Sequence, residues 1–204
     1  MYSKAQIWNL ALNSLLLSKQ IIDVDTDMSI EAKVLRLNWD LSFRQALQDM
    51  DLDATSSQAT LELVEADPTT MWSYSYKYPS DCSLFRRIIS SVVKDTRSTH
   101  IAKRITNKNG IKVIFTNEQD AVAEYLSHNV SLGVLSASAG LTIALRLAYN
   151  SAPLVVGKGA KELRKSLLEQ YIIARAEAQE HDRLENANFD DEITESEFVA
   201  ERLS

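Results

Sequence analysis

The spacing of the apolar residues changes twice along this chain, and each change limits the fold that a segment can adopt. From residue 3 to residue 49, apolar side chains recur every three or four positions, the spacing of one face of an α-helix. From residue 61 to residue 115 they form short alternating or β-branched runs, which are typical of strands. After residue 118 the helical spacing returns. The sequence therefore predicts an α+β protein in which strands are inserted between helical segments.

Helix ends are predicted from capping residues and from proline. Ser29 suits the N-cap of the second helix. Thr116 and Gln119 have the spacing of a capping box for the third helix, and Pro153 is expected to end the fourth. Small residues in the fourth helix should let another backbone come close: Gly133, Ser136, Ala137, Ala139 and Gly140. The predicted helices span about residues 3–19, 29–49, 117–128, 131–150 and 158–186.

The residues between the second and third helices predict an antiparallel sheet over about residues 61–116. Residues 107–110, NKNG, are typical of a hairpin turn because Asn and Gly tolerate positive φ angles. Residues 1–186 are predicted to form one mainly α domain, a bundle of long helices with this β-sheet or hairpin inserted. Residues 187–204 are predicted to form an extended acidic C-terminal arm that orders on a partner.

Charge is concentrated in blocks along the chain. The net charge is −6, but residues 86–112 hold 8 Lys and Arg against 1 Asp or Glu, which gives +7. Residues 177–204 hold 2 against 10, which gives −8. Blocks of opposite charge orient a protein against its partners. The pattern therefore favours a protein that makes directed contacts with neighbouring molecules.

The residue types that commonly carry catalysis or bind metals form no known pattern here. His100, His128 and His181 lie in different predicted elements, and none has metal-ligand spacing with the single cysteine, Cys82. We interpret Cys82 as a small buried apolar residue. The sequence therefore predicts no enzyme activity, no metal and no cofactor. A lone thiol, the lack of a signal peptide and the lack of a membrane span predict synthesis in the cytoplasm.

The basic block leaves an alternative function open, a nucleic-acid-binding module acting through residues 86–112. Contacts with phosphate groups would be sensitive to salt. The same side chains could instead meet an acidic neighbouring subunit. No helix-turn-helix, zinc-finger or RNA-recognition signature is present, so base-specific recognition is not expected. The candidate residues are Lys94, Arg97, Lys103, Arg104 and Lys108.

The most distinctive stretch is residues 71–88, MWSYSYKYPSDCSLFRRI, in which aromatic residues alternate as on one face of a strand. The run WSYSY, followed after Lys77 by YPSDC, resembles the signature of the tail tubular protein A family, the head-to-tail adaptors of short-tailed bacteriophages. Other similar segments are ALNSLLLSKQII, KVIFTN with AVAEYLSHN, LSASAGLTIALRLAY and KELRKSLLEQYIIARAEAQEHD. The motif positions are Trp72, Tyr74, Tyr76, Tyr78, Pro79, Asp81 and Cys82.

The resemblance implies a structural role in the virion. Members of the family form a dodecameric ring beneath the portal protein, extend the DNA channel and give the tail nozzle its docking surface. The resemblance therefore implies a homo-oligomer in the neck or tail of the virion. Its partners would be the portal protein, the tail nozzle protein and transient double-stranded DNA, with no membrane. The motif residues are expected to hold the sheet against the helical bundle.

One further hypothesis concerns the acidic C-terminal arm. It is expected to contact the portal through its apolar residues, Phe189, Ile193, Phe198 and Leu203. A third alternative function is an enzyme, for instance a wall-degrading hydrolase carried by a virion. Such an enzyme needs two carboxylates facing each other across a cleft, and the sequence holds no recognisable pair of this kind.

Overall fold

The computed structural model describes the backbone of residues 2–90 and 100–202 and the side chains of residues 2–90 and 100–186. These residues form four α-helices, two short 3-10 helices (Asp53–Thr55 and Leu132–Val134) and seven β-strands. The chain divides into two compact units, Met1–Ala54 with Ser131–Ser204, and Thr55–Val130. We call them the helical unit and the β unit.

The helical unit contains α1 (Lys4–Ser14), α2 (Ile30–Met50), α3 (Ala137–Val155) and α4 (Ala160–Arg202). Helix α3 packs against the other three. The Ser29 hydroxyl accepts a hydrogen bond from the Ala32 amide, so the predicted N-cap of α2 is confirmed. Ser3 and Gln6 form a capping box at the start of α1.

The core of the helical unit follows the helical spacing of the sequence. Trp8, Leu35, Leu47 and Ile143 are fully buried and come from α1, α2 and α3. At Gly140 an added methyl group would overlap the Tyr2 ring, so the neighbour that comes close there is a side chain and not the backbone that was predicted. Burial of these apolar faces is the main stabilising contribution in this unit.

The ends of the helices differ from the predicted ones. Helix α1 ends at Ser14, and Leu16 follows it in the left-handed region with an exposed side chain. Pro153 was expected to end the fourth helix but lies inside α3, two residues before its end at Val155. Helix α4 continues to Arg202 instead of ending at residue 186, because no Gly or Pro occurs after Gly159 to stop it.

The β unit consists of two antiparallel sheets. The first has the order β1 (Ser56–Thr60), β7 (Val122–Ser127), β4 (Cys82–Ile89). The second has the order β2 (Leu63–Thr69), β3 (Trp72–Lys77), β6 (Ile111–Thr116), β5 (Lys103–Lys108). Residues from both sheets share one small buried cluster, formed by Leu61, Tyr76, Ile88, Ile114, Ala121, Ala123 and Tyr125.

The predicted hairpin is confirmed. Strands β5 and β6 pair from Lys103 with Thr116 to Lys108 with Ile111. Asn109 and Gly110 between them have positive φ angles of 53° and 81°. The Gly110 amide donates to Asn107 Oδ1 at 2.9 Å, which fixes the turn.

The predicted fold class, a long-helix bundle with one inserted sheet or hairpin, is wrong. Two sheets with their own buried cluster occupy residues 56–127. The helix predicted over residues 117–128 is strand β7, the central strand of the first sheet. Its residues are buried at every position from Ala123 to Ser127, so the strand shows no alternation of buried and exposed residues. The predicted capping box at Thr116 is absent, because its hydroxyl accepts from the Glu118 amide and donates to the Ala102 carbonyl, and strand β7 follows instead of a helix.

Candidate functional site

The tyrosines of the aromatic run pack inside the β unit. Tyr76 on β3 is buried, and Tyr74 and Tyr78 pack against the same cluster. The Tyr76 hydroxyl donates to the Glu118 carbonyl at 3.0 Å, and burial raises its pKa. The contacts described for these rings join the two sheets of the β unit. The prediction that they hold the sheet against the helices stays a prediction.

The Asp81 carboxylate connects the turn after β3 to β7. The Tyr125 hydroxyl donates to its Oδ1 at 3.0 Å, and the Ser127 hydroxyl donates to its Oδ2 at 2.6 Å. Burial alone would raise the pKa of Asp81, but the hydrogen bonds from Ser127 and Tyr125 outweigh it and lower the pKa. Asp81 is therefore an ionised acceptor with both oxygens occupied.

Cys82 is held as a thiol. Its Sγ lies 3.0 Å from the Tyr78 hydroxyl, to which it donates. Burial raises the pKa of Cys82, so the nucleophilic thiolate is disfavoured. The Lys112 ammonium lies 3.6 Å from the centre of the Tyr78 ring and covers the same corner. The motif residues Tyr78, Asp81 and Cys82 are thus brought together as a hydrogen-bonded structural corner.

A cleft beside this corner contains two carboxylates, those of Glu62 and Asp81. It is lined in part by Glu62, Lys77, Tyr78, Pro79 and Asp81. Glu62 is paired with Lys77 at 3.2 Å, and Asp81 is occupied as above. The lowered pKa of Asp81 does not suit the protonated general acid that glycoside hydrolysis requires. Within the described residues, no group of three or more His, Cys, Asp and Glu could hold a metal ion.

The two adjacent arginines of the motif region bind an acidic residue that sequence reasoning missed. Arg87 on β4 donates through Nε and Nη2 to Glu124 Oε2, each at 3.0 Å. Arg86 Nη1 lies 4.0 Å from Glu124 Oε1. Glu124 is nearly buried on β7, so its charge is compensated by these guanidinium groups.

Glu124, Tyr125 and Ser127 were missed because residues 117–128 were predicted to be helical. The signal that could have found them is residue type, since Val122 and Tyr125 belong to the classes enriched in strands. Ala, Glu and Leu in the same segment favour a helix and hide that signal.

Two of the candidate contact residues of the basic block, Lys103 and Lys108, are engaged within the β unit. Lys103 donates from Nζ to the Arg86 carbonyl at 2.8 Å and lies over the Phe85 ring at 5.3 Å. Burial lowers the pKa of Lys103. Lys108 forms an ion pair with Glu65. Arg104 is exposed. The described part of this block therefore offers less free positive charge than the sequence suggests.

The other predicted contact residues have no described side chains. Lys94 and Arg97 lie outside the described residues. Phe189, Ile193 and Phe198 fall within the backbone of α4, but their side chains are not described, and Leu203 lies outside the described residues. The predicted contacts of both groups stay predictions.

Comparison with known proteins identifies no family. No protein-family model matches the chain, and no curated protein matches it. Within the part of the chain that the structure describes, no helix has both the length and the apolar character needed to cross a membrane.

Proposed function

We propose that this protein is a head-to-tail adaptor of a short-tailed bacteriophage. In this role it is a structural virion protein that forms a ring between the portal and the tail nozzle and extends the DNA channel. The observation that carries the proposal is the YPSDC motif. Its polar groups satisfy one another or β7, as expected of residues that hold a structural unit and transform no substrate.

Exposed apolar side chains on long helices support the same proposal. Leu37 and Leu41 on α2 and Ile172 and Ile173 on α4 are exposed although the helices are otherwise amphipathic. Ring-forming subunits need lateral surfaces of this kind, since association is driven largely by buried apolar area. The engagement of Lys103 and Lys108 within the β unit does not favour the nucleic-acid-binding alternative.

Electron microscopy of virus particles tests the proposal. An antibody against the purified protein should label particles of the virus that encodes this chain at one vertex, between head and tail. Particles made without the gene should be filled heads that lack the tail nozzle, and supplying the wild-type chain should restore tails. Normal tails on particles made without the gene, or labelling spread over the capsid, would contradict the proposal.

A distinct experiment separates the adaptor from the DNA-binding alternative. Replacing Lys103, Arg104 and Lys108 together by Ala should leave any DNA retention by the purified protein unchanged if these residues are structural. Under the alternative, the variant should lose DNA retention and its dependence on salt. The β-unit fold of the variant has to be checked by amide hydrogen exchange, because two of these lysines make intramolecular contacts.

A further inference from the structure

The outer face of α2 carries a short apolar stripe with a positive charge at each end. Lys33, Leu37, Leu41 and Arg44 follow one another at steps of four, four and three residues, so they lie on one line of the helix. The two leucines are 74% and 55% exposed. Neither Lys33 nor Arg44 forms an ion pair with any described residue. Asp40 beside the leucines is the acidic exception on this face.

The outer face of α4 carries the corresponding pattern with the opposite charge. Glu169, Ile172, Ile173, Ala176 and Glu180 lie on one exposed line of the helix. The two isoleucines are 48% and 61% exposed. Glu169 forms no ion pair with the residues that the structure describes. Both Glu180 oxygens accept from the Arg183 guanidinium on the same helix, at 3.0 and 2.8 Å, and each oxygen keeps one further acceptor position.

The two patterns match in length as well as in charge. Lys33 and Arg44 are eleven residues apart, and so are Glu169 and Glu180. At 1.5 Å per residue both spans are about 16 Å. Two helices laid side by side can therefore bring both acidic ends onto both basic ends while the apolar residues meet between them. The match holds for parallel and antiparallel helices, because each pattern has the same charge at both ends.

We propose that the outer face of α2 in one copy of this protein binds the outer face of α4 in a second copy. The two faces are different surfaces of the same chain, so the contact is heterologous and each copy can bind one neighbour on each face. Such contacts close into a ring when the rotation between copies allows it. The inference deepens the proposed adaptor function and rests on it for its biological setting.

The contact is expected to be weak in solution and sensitive to salt. One pair of helix faces buries less than the roughly 1,200–2,000 Å² of a stable interface. The charges at its ends are exposed and are screened within about 8–10 Å at ordinary ionic strength. Association of the free protein should therefore be visible at high protein concentration and low salt, and should decline as salt is added.

Charge reversal on each face tests the pairing. One variant carries Lys33→Glu with Arg44→Glu, and the other carries Glu169→Lys with Glu180→Lys. Each alone should self-associate about tenfold more weakly than the wild type or worse, because like charges then meet at both ends of the contact. Sedimentation velocity over a range of concentrations, with circular dichroism as a check on folding, measures the effect.

Mixing the two variants gives the sharper result. In the mixture, the unchanged α4 of the first variant meets the unchanged α2 of the second, and the two reversed faces are also complementary. Association should therefore return in the mixture and in a single chain that carries all four substitutions. The matched control reverses Lys19 and Lys158, which are exposed and lie outside both faces, and should associate as the wild type does.

Three results would overturn the inference: a wild-type chain that stays monomeric at the highest concentration and lowest salt, reversal variants that associate normally, or a mixture that does not recover. None of them would affect the labelling of particles at one vertex, which tests the adaptor function separately. Conversely, recovery in the mixture combined with particles that lack the protein would support this contact and reject the adaptor function.

Discussion

The helical unit and the β unit are stabilised in different ways. Among the described residues, 27 buried apolar residues form the core of the helical unit, whereas the β unit has ten, seven of them in one cluster. The β unit adds hydrogen-bonded and charged groups at its centre, with Asp81 and Glu124 each bound by two side chains. A small sheet core cannot bury enough apolar surface to depend on burial alone. Polar pairs therefore contribute a larger share of the stability of the β unit than of the helical unit.

Truncating the apolar core should have its largest effect in the helical unit. Leu47 on α2 is fully buried, and Leu47→Ala is expected to reduce the free energy of unfolding by about 2–5 kcal/mol. Leu37→Ala on the same helix removes an exposed side chain and should change it by no more than about 0.5 kcal/mol. Urea unfolding followed by circular dichroism at low protein concentration measures both. Equal effects of the two substitutions would contradict the stabilising role of burial at Leu47.

Removing the charge of Asp81 in the β unit should have the next largest effect on stability. Asp81→Asn keeps a single acceptor oxygen, so either Tyr125 or Ser127 loses its bond to a carboxylate. The expected cost is about 1.5–3 kcal/mol. Glu62→Gln removes an exposed pair with Lys77 and should cost about 0–1 kcal/mol. Amide hydrogen exchange of the β-strands reports both values, and a cost for Asp81→Asn no greater than that of the control would contradict the role of this carboxylate.

Acid should weaken the β unit through the same carboxylate. The pKa of Asp81 is lower in the folded protein than its ordinary value of 3.8, so the unfolded chain binds the proton more tightly. The stability that Asp81 contributes is therefore complete above that ordinary value and is lost as the pH falls through the lower folded pKa. Hydrogen exchange measured from pH 6 to pH 3 should show a steeper loss of protection in the wild type than in Asp81→Asn. Parallel profiles would exclude Asp81 as the source.

A single buried hydroxyl should have the smallest effect. Tyr76→Phe removes the hydrogen bond to the Glu118 carbonyl and is expected to cost about 0.5–1.5 kcal/mol. Tyr74→Phe is the matched control on the same strand, since the Tyr74 hydroxyl makes no hydrogen bond with a described residue. Thermal unfolding of the two variants measures the difference in stability between them. A loss in the control as large as that in Tyr76→Phe would show that ring packing, and not the hydroxyl, is responsible.

The helical unit was predicted better than the β unit for a physical reason. Helices α2 and α4 were found from apolar spacing within each segment, and the N-cap at Ser29 from its own residue type. The hairpin at Asn109 and Gly110 was equally local. Strand β7 was assigned wrongly because its pairing with β1 and β4 lies outside its own segment. The candidate site was found only in part. The sequence identified the motif residues, but it did not identify Glu124, Tyr125 and Ser127 on β7.

The order of residues alone determined the amphipathic faces, the N-cap of α2 and the hairpin turn, because each depends on neighbours within about four positions. Tertiary structure alone decided that Asp81 meets Tyr125, 44 positions away, and that Glu124 receives Arg87, 37 positions away. It also decided that Lys103 and Lys108 bind within the β unit. Those contacts arise from how the strands pair, and pairing between distant segments is set by burial and hydrogen bonding across the whole sheet.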